Sequence, residues 1–519
     1  MARFLLAPLL LLLTGCVHAD LGDPRLRPKS RAFAHPEETD AGRELRPQFE
    51  AHPDASGLYV LRSGLDAFVA RILMVDAAEK AIDVQYYIFH DDVTGRFLFS
   101  RLLAAADRGV RVRLLLDDLG SPGLDRLLAA AQVHPQMEIR LFNAMARGPL
   151  PGLARMLDLL SRPRRLNHRM HNKMLTIDGL AAVVGGRNVG DEYFDAAPGV
   201  NFADLDLLAF GPVLGELGET FDQYWNAEFV SPIAGWSSLR AEPAALDALR
   251  AELLAHEEAQ VGTRYAERLG SSTLYQDAKA GKLELLWAPT RAVADLPEKI
   301  VARGEALEET LLSKRLGSFF DEVDSELMIV SPYFIPRDSG VEFLANATGR
   351  GVRARILTNS LAATDVSAVH AGYKGYRVPM LEAGVELYEL KGTGKGVRRA
   401  KRSGLFGSSS ASLHAKTFLF DREIVFIGSA NLDPRSIDLN TEMGLVVHSP
   451  ELAEEQRAAF ERITSPEFSW YLRLDDDGEL LWEGSDGGES QTLHQEPGTS
   501  WWQRFKVSLL SLLPIQGQL

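Results

Sequence analysis

A long internal repeat is the feature of this sequence that most restricts its fold. The motif His-x-Lys-x4-Asp occurs twice among 519 residues, and in each copy an asparagine follows the histidine at the same distance. Of the 12 histidines, only the two in this motif have a lysine two positions later. The motif residues are His171, Lys173, Asp178 and Asn188 in the first copy, and His414, Lys416, Asp421 and Asn431 in the second.

The repeat extends to the segments around the motif. RGVRVRLLLDD begins at Arg108 and RGVRARILTNS at Arg350, an offset that differs by one position from the offset between the two histidines. A repeat of this length indicates a duplicated domain rather than an array of short units. The chain has room for two domains of about 200 residues, each able to bury its own core.

The order of predicted elements indicates the fold class of both halves. The runs AIDVQYYIF and VRVRLLLDD are typical of buried strands and enclose the helix FLFSRLLAAADRG, and ELMIVSPYFI, VEFLANATGRG and VRARILTNS repeat that order. This alternation predicts an α/β fold of two tandem domains, each a mainly parallel sheet flanked by helices. The divisions we expect are a signal peptide at 1–15, a tether at 16–50, domain 1 at 51–233, a helical linker at 234–293, domain 2 at 294–485, and a tail with a candidate amphipathic helix at 486–519.

The first sixteen residues predict export and lipidation. MARFLLAPLLLLLTGC has one arginine, an apolar run too short to span a bilayer, and small residues before Cys16, which is the form of a secretory signal. The last four of these residues resemble a bacterial lipobox, in which the cysteine is lipidated. Because Cys16 is the only cysteine, we favour this role over an ordinary signal with an incidental cysteine. We expect a periplasm-facing lipoprotein of the bacterial cell envelope, and Val17 favours the outer membrane.

Net charge argues against one class of function. A formal charge of −15 is unlike a general nucleic-acid binder, which carries a strong basic face, so no nucleic-acid partner is expected. The Gly/Ser-rich segment 392–412 has a cationic core, which is interpreted either as a solvated charge run or as a mobile basic lip over the site.

The C-terminal stretch SWWQRFKVSLLSLLPIQGQL leaves two interpretations open. Trp501 and Trp502 suit the boundary between water and lipid, which favours a helix lying at a membrane surface. The alternative is a helix docked on the protein's own core.

The motif residues favour phosphodiester chemistry. Alternate residues of a strand share a face, so each half would present an imidazole and an ammonium together, with the asparagine amide nearby. Two halves packed face to face could supply a nucleophilic histidine on one side of phosphorus and a protonated histidine at the leaving oxygen. The first would become a phosphohistidine while the lysines and amides hold the nonbridging oxygens. This chemistry requires no metal and no cofactor.

The paired motifs resemble those of the phospholipase D superfamily, and the likeness extends from about residue 55 to residue 485. The resemblance implies two phospholipase D-like domains with one active site at their interface. It also implies that His171 is the nucleophile and His414 the general acid/base, an order that the sequence itself does not decide. The residues that would bind the substrate phosphate are Lys173, Lys416, Asn188 and Asn431. Asp178 and Asp421 complete the catalytic motif, although in this superfamily they more often have a structural role.

The superfamily also places an acidic residue behind the opposed or the neighbouring histidine. Glu442, within NTEMGLVV, fits this orienting role in the second half. The first half has a longer loop there, and aligning DLDLL with EMGLV selects Asp204, with Asp206 as the alternative. A carboxylate that fixes an imidazole tautomer is physically sensible in either case.

Within the superfamily, HRMHNK, GGRNVGDEYF and the F-x-D-x-D that follows resemble the bacterial cardiolipin synthase C group. That resemblance implies transfer of a phosphatidyl group between two phospholipids at a membrane surface. Phosphatidylglycerol is the first candidate substrate, and phosphatidylethanolamine is the second. The alternatives are phospholipid hydrolysis, nuclease activity and a non-catalytic envelope scaffold. Net acidity weighs against a nuclease, and the intact motifs weigh against a scaffold. The oligomeric state is not predicted.

Three further residues are assigned structural roles. His168 lies close to His171 but lacks further ligands at the spacing of a zinc motif, so no metal site is predicted. Tyr87 and Tyr333 end corresponding strands and are interpreted as core rather than as part of the site.

Overall fold

The structure is a computed structural model and describes residues 27–145, 156, 158, 160–199, 201–236, 239–392 and 411–511. The predicted signal peptide, Cys16 and most of the Gly/Ser-rich segment lie outside the described residues.

Strands and helices alternate along both halves. The strands are β1 (Ser56–Leu61), β2 (Ala81–Tyr86), β3 (Arg111–Asp117), β4 (Met137–Phe142), β5 (Lys173–Ile177), β6 (Ala181–Gly185), β7 (Asn201–Ala203), β8 (Asp206–Phe210), β9 (Val230–Pro232), β10 (Leu286–Ala288), β11 (Thr290–Ala294), β12 (Glu326–Val330), β13 (Arg353–Asn359), β14 (Glu386–Leu390), β15 (Ala411–Leu413), β16 (Thr417–Phe420), β17 (Ile424–Gly428), β18 (Met443–His448), β19 (Ser469–Leu474), β20 (Leu480–Asp486) and β21 (Glu489–Leu493). The helices are α1 (Asp40–Ala51), α2 (Gly64–Ala77), α3 (Val93–Asp107), α4 (Asp125–Ala131), α5 (Pro163–Asn167), α6 (Val213–Trp225), α7 (Pro243–Gln260), α8 (Arg264–Gly270), α9 (Thr273–Lys279), α10 (Glu305–Glu308), α11 (Leu312–Glu322), α12 (Arg337–Gly349), α13 (Ser367–Lys374), α14 (Arg377–Glu382), α15 (Pro434–Asp438), α16 (Pro450–Ile463) and α17 (Trp501–Leu510).

Two large sheets correspond to the two halves of the repeat. In the described part of the chain the first sheet has the order β10-β1-β8-β6-β5-β2-β3-β4-β9, and the second has the order β11-β18-β17-β16-β12-β13-β14-β19-β20-β21. The run from β1 to β4 in the first order matches the run from β11 to β14 in the second. The prediction of an α/β chain with two tandem domains is therefore confirmed.

The prediction that the sheets are mainly parallel is corrected. Parallel pairs join β2 to β3, β3 to β4, β12 to β13 and β13 to β14, and the other pairs described in the two large sheets are antiparallel. The helical crossovers α3 and α12 produce parallel pairs, whereas tight hairpins such as β5–β6 and β16–β17 can join only antiparallel strands. The sequence pattern revealed the crossovers but not these hairpins.

The segment predicted as a helical linker also belongs to both sheets. Helices α7, α8 and α9 pack against α2 and α3 of the first half. The end of the segment forms β10, which pairs with β1, and β11, which pairs with β18. The chain therefore crosses from one sheet to the other at Pro289.

The two halves share a hydrophobic core. Val184 of β6 and Leu207 of β8 belong to the same buried cluster as Leu445 and Val447 of β18. Burial of this apolar surface holds the two motif-bearing hairpins against each other.

The end of the chain forms a hairpin followed by a helix. Strands β19 and β20 pair antiparallel around a turn at Asp477 and Gly478, and the φ of 81° at Gly478 is one that glycine adopts readily. Among the helices that are described, none combines the length and apolar character needed to cross a bilayer.

Asp178 and Asp421, which the sequence grouped with the catalytic residues, lie in the hairpin turns at the far ends of β5 and β16. The Asp178 carboxylate accepts hydrogen bonds from the backbone N–H groups of Glu79, Lys80 and Ala81 at 2.8, 2.8 and 2.7 Å. The Asp421 carboxylate accepts from Asp324, Ser325 and Glu326 at 3.0, 2.7 and 3.0 Å. Both carboxylates therefore fix the chain that enters the central strand of a sheet, which is the structural role that this superfamily more often gives to the motif aspartates.

We expect Asp178→Ala to lower the free energy of unfolding by about 2 to 4 kcal/mol, because three backbone donors lose a charged acceptor. Urea and thermal unfolding followed by circular dichroism would measure this. The exposed Asp54 supplies the control, since Asp54→Ala should change stability by less than about 0.5 kcal/mol. Equal stability of the two variants would contradict the structural role of Asp178.

Candidate active site

The two motif histidines lie where the halves meet. His171 lies two positions before β5 and His414 three positions before β16, and only 7% of His171 and 5% of His414 is exposed. The backbone N–H of His171 donates to the carbonyl of Thr441, and that of His414 donates to the carbonyl of Ala203, both at 2.8 Å. The backbone of each half therefore positions the histidine of the other.

A carboxylate from the opposite half also binds each imidazole. Glu442 Oε2 lies 2.8 Å from Nδ1 of His171, and Asp204 Oδ2 lies 2.5 Å from Nδ1 of His414. Because a carboxylate accepts hydrogen bonds, Nδ1 of each ring is the donor. Nε2 of the neutral ring then keeps its lone pair.

The Asp204 carboxylate fits closely against the GGRN segment. A side chain at Gly186 would collide with this carboxylate, so the glycine is required by the close approach. Asp206, the alternative to Asp204, instead pairs with Arg71 at 2.9 Å. The structure thus places Asp204, and not Asp206, against the imidazole.

Glu442 has different neighbours. The Ser429 hydroxyl donates to Glu442 Oε2 at 2.5 Å, and the backbone N–H of Glu442 donates to Asp295 Oδ2 at 2.7 Å. Lys299 Nζ lies 3.0 Å from the same oxygen of Asp295. Neither Ser429 nor Asp295 was singled out from the sequence, because neither has a counterpart of the same type in the first half.

The two motif lysines are buried beside the histidines. Nζ of Lys173 donates to the carbonyl of His171 at 2.5 Å, and Nζ of Lys416 donates to the carbonyl of His414 and lies 3.0 Å from its Nδ1. Burial lowers the pKa of Lys173 to about 7 and that of Lys416 to about 8, and the charge of Glu442 opposes both shifts. Lys416 also lowers the pKa of Lys173, so the lysines act within one electrostatic site.

Burial also keeps the imidazoles neutral in the substrate-free site. It lowers the pKa of His171 to about 4, because Glu442 offsets the burial only in part and Lys173 adds to the lowering. Burial and then Lys416 lower the pKa of His414 as well. A phosphate anion placed between the lysines would favour protonated imidazole again.

The two repeat asparagines are bound differently. Asn188 accepts from the backbone N–H of Ile88 at 3.1 Å and donates to the Tyr193 hydroxyl at 2.9 Å. Oδ1 of Asn431 is buried without a hydrogen-bond partner among the residues described. The protein thus engages the amide of Asn188 at both ends, whereas that of Asn431 retains an unused polar atom.

Aromatic rings pack on both imidazoles. The ring centroid of Tyr87 lies 5.1 Å from that of His171, so Tyr87 lines the site and its interpretation as core is wrong. The rings of Tyr193 and Phe202 lie 5.3 and 5.0 Å from that of His414. These rings exclude water from the imidazoles, which agrees with the lowered pKa of both.

Asp117 and Asn359 hold the backbone in front of each histidine. Asp117 Oδ2 accepts from the N–H of Met170, and Asn359 Oδ1 accepts from the N–H of Leu413, both at 3.0 Å. The two residues occupy equivalent positions in RGVRVRLLLDD and RGVRARILTNS. That shared register is the signal from which they could have been identified.

One cluster in the described part of the chain could hold a cation. The ligand atoms of His90, Asp92 and Glu192 lie within 4.8 Å of one another. A hydrogen bond from His90 to Glu192 raises the pKa of His90, and Asp92 accepts from the N–H groups of Gly95 and Asp191. These bonds explain the cluster as a helix cap with an adjoining ion pair.

Two α/β halves that each contribute a His-Lys pair to one buried site define a phospholipase D-like protein. Comparison with known families agrees, since the family described as "Cardiolipin synthase, PLD-like domain" matches residues 72–225 and 318–464. The chain belongs to this family.

Similar proteins cover almost the whole chain. It is 44% identical over 472 residues to "Cardiolipin synthase C" of Escherichia coli (strain K12), which covers 91% of this chain and 98% of the relative. An "Uncharacterized protein" of Helicobacter pylori (strain J99) is 30% identical, with 92% and 93% covered. The solved structure of a phosphatidylserine synthase from Haemophilus influenzae Rd KW20 has a TM-score of 0.55 and covers 92% of this chain and all of that one. At 12% identity, that structure supports the fold alone.

We expect His171 to be neutral at pH 7 and to become protonated only as the pH falls toward about 4, because burial lowers its pKa. Inorganic phosphate should raise that pKa, since an anion stabilises the imidazolium. NMR of protein labelled with 15N-histidine, assigned with His171→Asn, would follow the titration. A pKa near 6.5 without phosphate, or one that phosphate leaves unchanged, would contradict this account.

Proposed function

We propose that the chain is a phosphatidyltransferase that makes cardiolipin from two phospholipids through a phosphohistidine intermediate. The observation that carries the proposal is the exchange of carboxylates between the halves. Glu442 on His171 and Asp204 on His414 join two His-Lys motifs into one site with two imidazoles. The identity to a relative named cardiolipin synthase C supports this choice of reaction.

The first step is attack by a neutral imidazole on the phosphorus of one phospholipid. His171 takes this role in the order that the superfamily suggests, and its Nδ1–H stays bonded to Glu442 while Nε2 attacks. The bond from phosphorus to the head-group oxygen breaks, and His414 donates a proton to that oxygen. The products are a phosphatidyl-histidine and a free head-group alcohol.

The second step reverses the roles at phosphorus. His414, now neutral, takes the proton from a hydroxyl of the second phospholipid, and that oxygen attacks the phosphatidyl-histidine. The bond from phosphorus to Nε2 breaks and His171 is restored. When phosphatidylglycerol supplies the hydroxyl, the product is cardiolipin.

The buried lysines and amides bind the phosphate oxygens. Lys173 and Lys416 lie beside the imidazoles, so their ammonium groups can neutralise the nonbridging oxygens during both steps. Asn188 and Asn431 would bind these oxygens through their amide N–H groups, because a phosphate oxygen accepts hydrogen bonds. In the substrate-free site the N–H group of Asn188 donates to the Tyr193 hydroxyl.

The site by itself permits hydrolysis as a second outcome, because water could replace the lipid hydroxyl in the second step. The buried, aromatic-lined imidazoles favour transfer, since the same packing that lowers their pKa restricts water. Candidate donors are phosphatidylglycerol and phosphatidylethanolamine.

Purified protein added to phosphatidylglycerol vesicles, with and without phosphatidylethanolamine, should yield cardiolipin by lipid mass spectrometry. His171→Ala and His414→Ala should each lower turnover by at least about 10³-fold, because each removes a group needed in both steps. The exposed His448 gives a matched control, and His448→Ala should keep full activity.

Phosphatidic acid as the sole product would instead assign a hydrolase. Full activity in either motif variant would contradict the shared site. A phosphodiester whose leaving group needs no protonation should still react with His171 in the His414→Ala protein. The phosphohistidine should then accumulate on His171, because His414 is missing from the second step, and peptide mass spectrometry would detect it. An adduct on His414 in the His171→Ala protein would reverse the assigned order.

We infer that the chain acts at the bacterial cell envelope, held by lipid on Cys16 after removal of the signal residues. The lipobox-like ending and the lone cysteine support this anchor. An outer-membrane, periplasm-facing location belongs to the same proposal. A lipid anchor combined with a second membrane contact would give stable attachment, since one acyl chain alone binds weakly.

Cells supplied with an alkyne-labelled fatty acid should label the wild-type chain, and Cys16→Ser should abolish labelling because no other thiol exists. In-gel detection after click coupling measures this, with His448→Ala as the labelled control. Labelling that persists in Cys16→Ser would contradict the anchor.

A further inference from the structure

The C-terminal helix α17 presents an apolar surface to solvent. Its residues Trp501, Trp502, Phe505 and Leu509 are 58, 70, 48 and 55% exposed. The rings of Trp501 and Phe505 stack with centroids 5.2 Å apart, so the side chains form one continuous surface. We call these four residues the aromatic ridge.

The ridge is not the face by which α17 binds the protein. Val507 is 2% exposed and packs in a buried cluster with Leu361 and Ala371, and Leu510 packs against that cluster. A helix advances about 100° per residue, so the ridge spans one side and Val507 and Leu510 lie on the opposite side. Helix α17 is therefore docked on the protein's own core, which was one of the two interpretations of the sequence. It also has a second apolar face, the aromatic ridge, which is exposed to solvent.

Polar and charged groups frame the ridge. Ser500 and Gln503 form a capping box that fixes the start of α17. By the same helical geometry, Arg504 and Lys506 lie along the two borders of the ridge, and Lys506 is exposed. Aromatic rings bordered by cations suit the interface of a bilayer with anionic lipids.

The helix that bears the ridge is connected to the active site through the second half. Helix α17 packs on α13 and on Leu361. The short loop from Leu361 to the start of α13 contains Asp365. Asp365 accepts a hydrogen bond from the Tyr333 hydroxyl at 2.7 Å and acts electrostatically on Lys416. The ridge and the site are thus linked through one short loop.

The first half has an exposed apolar residue at the equivalent place. Leu119 directly follows the segment RGVRVRLLLDD, and Leu361 directly follows the equivalent segment RGVRARILTNS. Leu119 is 48% exposed, whereas Leu361 is covered by α17. Apolar surface therefore lies at the same edge of both sheets, close to the ends of β3 and β13.

We propose that the aromatic ridge is a bilayer-binding surface, through which Trp501, Trp502 and Phe505 enter the interface of an anionic phospholipid membrane and hold the second half of the protein against it. The purpose of this contact rests on the proposed lipid substrates, but the binding itself does not depend on any reaction. A second copy of the chain is a poorer occupant, because stable interfaces use about 20 residues a side and the ridge has only four side chains.

Binding is measured by sedimentation with vesicles of phosphatidylglycerol and phosphatidylcholine. All proteins carry Cys16→Ser, so that no lipid anchor obscures the comparison. The ridge variant combines W501S, W502S and F505S. Its control combines L254S, V261S and V301S, which replace apolar residues that are 57, 80 and 53% exposed elsewhere. The ridge variant should bind at least about tenfold more weakly, and the control should bind like its parent.

Tryptophan fluorescence gives an independent measurement. Of the seven tryptophans, Trp501 and Trp502 are the exposed ones, and the others are buried or half-buried. Adding vesicles to the parent should shift emission to shorter wavelength and protect it from acrylamide quenching. W502S alone should reduce both effects, and the ridge variant should abolish them.

A soluble short-chain phospholipid, used below its micelle concentration, separates this proposal from the proposed function. The ridge variant should lose turnover of vesicles and keep that of the soluble lipid. Parental binding by the ridge variant, equal loss in the control, or a dimer that the ridge variant abolishes in light scattering would each overturn the proposal. Absence of turnover in the parent would overturn the proposed function, while sedimentation and fluorescence would still decide the role of the ridge.

Discussion

The hydrogen bonds that Glu442 and Asp204 make across the domain interface are the contacts on which the site depends. Each carboxylate is buried and reaches the imidazole of the half to which it does not belong. A buried carboxylate without its partner would be costly, so separating the halves would leave two unpaired charges. The shared core, together with the crossing of the chain from β10 in the first sheet to β11 in the second, holds the halves at the separation these bonds require.

The same burial decides when the site carries charge. Because burial lowers the pKa of both histidines and both lysines, the imidazoles of the empty site are neutral near pH 7 and the lysines are only partly protonated. An arriving phosphodiester brings the negative charge that makes an imidazolium and two ammonium groups favourable. In the proposed reaction, proton uptake would therefore be coupled to substrate binding, and the general acid would form only once the substrate is in place.

Much of this arrangement follows from the repeat, because two copies of a motif report equivalent positions. Aligning the copies predicted the tandem halves and selected Asp204 opposite Glu442. The sequence could not show that Asp178 lies at the far end of its hairpin, because spacing along a chain does not reveal which way a strand returns. Tyr87 was misjudged for a related reason, since an aromatic residue that ends a strand is equally compatible with a core and with a cavity wall. The antiparallel pairing was missed because hydrophobic periodicity identifies strands without naming their partners.

The two halves are alike in topology but not in the groups around their carboxylates. Gly186 and Ser429 occupy equivalent positions, yet one leaves space for Asp204 and the other donates a hydroxyl to Glu442. Arg187 donates to the backbone carbonyl of Asp204, whereas Ala430 stands at its place in the second half. In a symmetric dimer of one half, the two imidazoles would be identical by symmetry and only the substrate could make them differ. Joining unequal copies in one polypeptide removes that restriction, so each histidine can acquire its own proton affinity by ordinary substitution.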